Sequence, residues 1–371
     1  MGAVAVGAIS AHAAGGCRTT CAASSSAPQS TVLDQVTTVG RVRPAGRGVR
    51  YTWPGVYFEG RFRGTGVGLM LKDSVNDYVV QVDGATAGTL MRPGDTTYWV
   101  RNLAAGNHTV RLTKRTESPW NAGEFDGLVP AAGGAILARP AARSRQIEFI
   151  GDSWTVGYGD LSTSPDCRGN AVIGRNTDTG ASFGALTAKA LDADYQIDAW
   201  SGLGLVRNYK GQGGGNLLSY YDTDLQAVPG SRAWPVPRTW RPQVVVVGLG
   251  NNDFSAALHA GEKWATIGQL AADYRTAYLA FLDKLRTRYG AGTYIVLAYP
   301  DLYRTTALAA SIQQIVKARN TAGDARISGL HYDDTALGLD HLGCDRHPSR
   351  HDHRLLAAAL TKHLVALPLA W

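Results

Sequence analysis

The chain has 371 residues, 44% hydrophobic and 18% charged, with a formal net charge of +7. Its length exceeds the roughly 100–200 residues of one ordinary domain, so two domains are expected, each able to bury a core. The composition excludes a disordered polymer. No apolar run reaches the roughly 20 residues that cross a bilayer, and the cations are scattered rather than gathered into a stripe. Neither a membrane span nor a nucleic-acid partner is therefore expected.

In chain order, residues 1–30 read as a signal-like segment and linker. The stretch MGAVAVGAISAHAA is apolar and ends in Ala11-His12-Ala13, which has the small-x-small form of a signal-peptidase site, and it predicts a secreted chain. Against this, no Lys or Arg precedes Arg18. A lipid anchor on Cys17 is the alternative reading. Residues 15–30 are rich in Ser, Ala and Gly and read as flexible linker.

Residues 31–142 are expected to form an all-β sandwich. The segments VYFEGRFRG, VGLMLKDS, DYVVQVDG, TTYWVRNL and HTVRLTKRT alternate apolar and polar residues with the period of strands. Asp83-Gly84 supplies a tight hairpin turn, and Ala105-Gly106-Asn107 a second reversal. The Pro140 segment ILARPAARSRQ breaks this pattern.

Residues 143–371 are expected to form an α/β domain, a parallel sheet with helices on both faces. Strands are predicted at Ile147-Glu148-Phe149-Ile150, YQIDAW, Val244 to Leu249 and TYIVLAYP. Between and after them, helical spacing relates Trp264, Ile267, Leu270, Tyr274, Tyr278, Phe281 and Leu285, and then Leu355, Leu356, Leu360 and Leu364. These apolar stripes read as core.

Four motifs fall at strand ends or before the last helix: Gly151-Asp152-Ser153, Ser201-Gly202-Leu203-Gly204, Gly250-Asn251-Asn252-Asp253 and Asp345-Arg346-His347-Pro348. In open α/β sheets, loops at the carboxyl ends of strands share one crevice. Each motif alone is an ordinary turn or cap; their joint occurrence is what signals chemistry. The four cysteines, at 17, 21, 167 and 344, are too few for a disulfide scaffold. Cys167 and Cys344 flank the motifs. In an exported chain they are expected to pair, at roughly 2–4 kcal/mol, the alternative being two buried thiols.

The set resembles the SGNH hydrolases, and within them carbohydrate esterase family 2. The blocks that carry the resemblance are IEFIGDSWTVGYGD, ASFGALTAKALDADYQIDAWSGLGLVRNY, VVVVGLGNNDFS and GCDRHPS. Upstream, the β-rich region through HTVRLTKRTE is similar to the jelly-roll domain that precedes the hydrolase domain in that family. The resemblance implies Ser153 as nucleophile and His347 as base, which suits a hydroxyl that is a poor nucleophile until a neighbouring imidazole takes its proton. It also implies an oxyanion hole made of the Ser153 and Gly202 backbone N–H groups and the Asn252 amide.

The family's usual orienting Asp stands three residues before the His, where this chain has Cys344. Asp345 is then the remaining candidate orienter, and the alternative is a Ser-His dyad held by a backbone carbonyl. Asp152 and Asp253 are expected to be structural. Family members often carry an aromatic residue before the His, where this chain has Arg346. Trp154 and Trp200 become candidate sugar platforms, and Arg346 a candidate polymer contact.

No metal and no cofactor are expected, since His351 and His353 are two apart and do not share a helix face. The function implied is a secreted serine esterase that removes acetyl groups from a polysaccharide or oligosaccharide such as xylan or glucomannan. The alternatives are an esterase or lipase for other small acyl esters, and a non-catalytic carbohydrate-binding protein.

Overall fold

The computed structural model describes residues 31–369 and 371; the signal-like segment, the linker and the Cys17 reading lie outside these residues. Two antiparallel sheets come first. One runs in the order Val36–Val39, Tyr57–Gly64, Gly106–Lys114, Asp77–Val82, Ala85–Met91, with Ala135–Ile136 added beside Tyr57–Gly64. The other runs Arg43–Ala45, Gly48–Tyr51, Gly123–Pro130, Val67–Asp73, Gly94–Val100. Alternation drives their packing: Phe58 and Phe62 turn inward while Arg61 and Arg63 meet solvent. Tyr51, Leu69, Leu71, Tyr78, Val80, Leu112 and Phe125 complete the buried interior.

The Asp83-Gly84 turn closes the hairpin between Asp77–Val82 and Ala85–Met91, both residues having positive φ (50° and 81°). The second expected reversal is a different object. Residues 101–105 lead from Gly94–Val100 in one sheet to Gly106–Lys114 in the other, so the chain crosses between layers there instead of forming a hairpin.

The second domain is a five-stranded parallel sheet: β1 (Arg145–Gly151), β2 (Ala193–Ala199), β3 (Val244–Gly248), β4 (Tyr294–Pro300) and β5 (Ile327–Tyr332), in the order β2-β1-β3-β4-β5. Successive residues of β3 face opposite cores. Val245 and Val247 join Tyr274, Tyr278, Leu285 and Ile312 on one side; Val244 and Val246 join Phe183, Leu356 and Leu360 on the other. Thus helices Ile267–Tyr289 and Ala307–Thr321 cover one face, and Phe183–Ala190 and Arg350–Val365 the other. The stripe read from the sequence is the buried face of Ile267–Tyr289, although Trp264 stands before its Thr266 cap and donates its indole N–H to Asp273 (2.9 Å). Strand β5 was not expected. It lies at the sheet edge with only its two ends buried, so it lacks the apolar run that marked the inner strands.

Charged groups join the domains. Arg41 is fully buried, 2.9 Å from Asp198 on β2 and 3.6 Å from Glu148 on β1, with its guanidinium over the rings of Trp53, Tyr221 and Trp234. Burial raises the Glu148 pKa, and Asp198 adds to that rise. Nearby, the Tyr57 hydroxyl donates to Asp194 (2.5 Å), which also accepts from the Arg143 backbone and guanidinium.

Candidate active site

The sheet register brings three of the four motifs to one level. Gly151 of β1 is aligned with Ala199 of β2 and Gly248 of β3, so the residues just past each emerge together. Ser153 opens the short helix Ser153–Val156 and is 4% exposed. Asp152 caps that helix, accepting from the Trp154 N–H (3.1 Å). Glycine is required at 151, because a Cβ there would lie 2.0 Å from the Thr155 hydroxyl oxygen.

His347 meets the serine: its Nε2 lies 2.8 Å from Ser153 Oγ. Its Nδ1 lies 2.9 Å from the Cys344 carbonyl oxygen. A carbonyl can only accept, so Nδ1 carries the proton and Nε2 presents a lone pair to the Ser153 hydroxyl. Burial lowers the His347 pKa from its ordinary 6.5, with the Cys344 carbonyl pulling the other way. The imidazole therefore stays neutral, and able to accept a proton, into mildly acidic solution.

Asp345 does not face this imidazole. Its backbone is left-handed (φ 54°), and its carboxylate accepts from the Tyr158 hydroxyl at 2.8 Å. The Tyr158 ring packs against His347, with centroids 4.5 Å apart. The partner of Nδ1 is thus the carbonyl of residue 344, not the side chain of residue 345. Residue 344 is anchored in turn, since Cys344 is joined to Cys167 with Cα atoms 5.1 Å apart, and its N–H donates to Gly159 O (3.1 Å).

Gly202 has φ +83°, and a Cβ there would meet nothing within 4 Å, so the left-handed turn rather than crowding calls for glycine. Downstream, the loop is held by Asp253, whose carboxylate accepts the N–H groups of Leu205, Val206 and Arg207 at 2.8–2.9 Å. The Asn252 amide donates to Leu203 O (2.9 Å) and, more weakly, to Asp152 Oδ2 (3.3 Å). Burial pushes the Asp152 carboxyl up to about 7, with Asp253 and Glu117 adding to the rise and the Trp154 N–H opposing it.

The proposed platforms are placed differently from one another. Trp154 is half-buried, its ring 5.9 Å from that of His341. Trp200 is only 7% exposed and contacts Tyr220 (4.7 Å) and Trp120 (5.3 Å), which leaves it little free face. Trp120, from the sandwich domain, is 63% exposed. Arg346 is exposed on a left-handed backbone (φ 61°). Of the remaining histidines, His353 is buried and accepts from the Phe183 N–H (3.1 Å). His351, Asp340 and Asp352 lie within 4.8 Å of one another, but the Asp352 carboxylate already accepts the N–H groups of Ser349, Asp340 and His341.

One contact had no sequence signal. Glu117, just beyond the strand Gly106–Lys114 of the sandwich, accepts from both donors of Ser201: the N–H at 2.8 Å and the hydroxyl at 2.5 Å. Glu117 closes the segment HTVRLTKRTE, but no spacing in that segment announces a partner in the other domain.

A parallel sheet in this order, with a Ser-His pair and a glycine loop at its carboxyl edge, defines a hydrolase of the GDSL type. The family description "GDSL-like Lipase/Acylhydrolase" matches residues 147–360, and "Carbohydrate esterase 2 N-terminal" matches residues 38–140. An "Acetylxylan esterase / glucomannan deacetylase" of Cellvibrio japonicus is 39% identical over 324 residues, 86% of this chain and 87% of the relative. The "Cellulase/esterase CelE" of Acetivibrio thermocellus is 31% identical over 85% of this chain, which spans only 37% of that relative. A solved family two carbohydrate esterase from Clostridium thermocellum, in complex with cellohexaose, superposes with a TM-score of 0.77 at 30% identity, over 89% of this chain and 98% of that one. The chain belongs to carbohydrate esterase family 2 and is a carboxylic ester hydrolase.

Proposed function

We propose that the chain is a secreted esterase that removes acetyl groups from polysaccharide of the xylan or glucomannan class, through an acyl-enzyme on Ser153. The observation that carries the chemistry is the 2.8 Å contact between Ser153 Oγ and His347 Nε2. The substrate class is supported by the 39% identical relative named for acetylxylan and glucomannan. An extracellular workplace is supported by the Cys167–Cys344 bond, which suits an oxidising compartment.

In this reading, His347 Nε2 takes the Ser153 proton as Oγ attacks the acetyl carbon, and the carbonyl π electrons move onto oxygen. The oxyanion is met by the N–H groups of Ser153 and Gly202 and by the Asn252 amide, which gives up its long contact to Asp152. Collapse breaks the ester C–O bond, and the imidazolium returns its proton to the departing sugar oxygen. Water, deprotonated by His347, then releases acetate from Ser153. Asp345 holds Tyr158, and the Cys344 carbonyl orients the imidazole, so the catalytic pair is a dyad.

Acetate release from acetylated xylan and glucomannan, alongside an aryl acetate, tests the reading with Ser153→Ala and His347→Ala as comparators. Each substitution is expected to lower kcat by at least roughly 10⁴-fold. Turnover equal to wild type in both variants would remove the nucleophile and base assignments. A chain-length series whose activity peaks beyond butyrate would remove the acetyl preference.

A further inference from the structure

The Gly202 N–H serves an oxyanion only if the peptide joining Ser201 to Gly202 points the right way, and a glycine at φ +83° has no side chain to hold it there. The loop is therefore fixed by its neighbours. Downstream of Gly202 the grip comes from the hydrolase domain itself: Tyr209 N–H on the Gly202 carbonyl (2.9 Å), Asn208 Oδ1 on the Gly204 N–H (3.2 Å), and Asp253 on three further N–H groups. Upstream, both donors of Ser201 end on the one carboxylate of Glu117, which belongs to the other domain.

Even a half-buried carboxylate beside an active site is costly unless its oxygens are used. Here each oxygen takes one Ser201 donor. Burial pushes the Glu117 carboxyl up, while the two Ser201 bonds and the buried Lys114 ammonium favour its charged form. A pure packing role needs no such arrangement; an apolar side chain of similar size would fill the space at less cost. Two short bonds from one planar acceptor to the N–H and hydroxyl of one residue fix both its backbone and its χ1, and so aim the next peptide.

We infer that Glu117 is a positioning residue for the oxyanion loop, supplied by the sandwich domain to the hydrolase domain, so that the catalytic site is complete only when the two are docked. The inference rests on the proposed Ser153 mechanism, and its test is built to separate the two. Steady-state hydrolysis of an aryl acetate is measured for the full chain carrying Glu117→Ala, Glu117→Gln, Ser201→Ala, the double variant Glu117→Ala/Ser201→Ala, and Ser153→Ala.

A well-placed oxyanion donor is worth about 10²–10³ in kcat, and its misalignment rather than loss is expected to cost about 10- to 100-fold in Glu117→Ala and less in Ser201→Ala. KM is expected to stay within about twofold, because the loss falls on the transition state. Glu117→Gln is expected to recover part of kcat, since its amide oxygen still accepts the Ser201 N–H. The double variant is expected to be no slower than Glu117→Ala, because both changes remove one grip. Should Glu117→Ala fail to fold, Glu117→Gln and Ser201→Ala carry the test. Folded variants with wild-type kcat beside an inactive Ser153→Ala overturn the role of Glu117 alone. An active Ser153→Ala overturns the mechanism and this inference with it.

Discussion

The loop bearing His347 and the loop bearing Gly202 meet at one catalytic serine, yet they are held by different kinds of force. Around His347 the partners are neutral backbone: the Cys344 carbonyl on Nδ1, Gly159 O on the Cys344 N–H, and Pro165 O on the Asp345 N–H (2.8 Å), with the Cys167–Cys344 bond as a covalent tie. Around Gly202 the partners include two acids, the half-buried Glu117 and the buried Asp253, and an Arg207–Glu262 ion pair with N to O separation of 2.5 Å. The difference has a chemical logic. A carboxylate against the imidazole would raise its pKa and favour the charged, non-basic form, whereas a carbonyl orients it without adding charge. A loop that must present bare N–H groups gains from anions that absorb the N–H groups of Ser201, Leu205, Val206 and Arg207 around it.

Among changes that leave the Ser153–His347 pair itself intact, breaking the oxyanion half is expected to have the largest effect. Asn252→Ala should lower kcat by about 10²–10³ with little change in KM, measured on an aryl acetate. Retention of more than half the wild-type rate would take Asn252 out of the hole.

Removing the covalent tie comes next. Cys167→Ser/Cys344→Ser is expected to lose roughly 2–4 kcal/mol of stability in denaturant unfolding. It should also lose part of kcat, because the carbonyl that orients His347 belongs to residue 344. A variant slowed no more than its unfolded fraction predicts would separate the tie from the base.

The smallest effect is expected for Asp345→Asn. An Asp that orients a catalytic His is worth about 10⁴ in kcat, so a change below about threefold is the signature of a dyad. The acid limb of kcat/KM sharpens this point. Because burial lowers the His347 pKa, activity should fall only as pH drops through a value below 6.5, and the limb should move further down in Asp345→Asn, since the Asp345 charge opposes that lowering. A loss approaching roughly 10⁴ in kcat would restore Asp345 as orienter.

Much of this site was legible because its parts are short, contiguous and placed at strand ends. Val244–Gly248 reads as buried in any context, and the residues just past the carboxyl end of a buried parallel strand line the crevice. The motifs holding Ser153, Gly202 and Asn252 stood out that way, His347 by its place before the last helix, and their roles came from the likeness to SGNH hydrolases. Choices that depend on where a side chain turns were not legible. The positive φ of Asp345 sends its carboxylate to Tyr158, and nothing in Asp345-Arg346-His347 announces that backbone. Trp200 sits in a favourable place yet spends its faces on Trp120 and Tyr220. Glu117 and Arg41 escaped because each acts across the domain boundary, where no periodicity or spacing records the partner. Edge strand β5 escaped because four of its six residues meet solvent or partial cover.

Arg41 has a consequence for anyone who would rebuild this protein. It is the cation that the sandwich lends to Glu148 and Asp198 beneath the hydrolase sheet, and without it those two acids would face each other in a dry interior. The front half of the chain is thus no detachable accessory: a trimmed or transplanted hydrolase half would inherit two neighbouring carboxyl groups without their arginine, and a chimera would have to import the arginine or replace both acids.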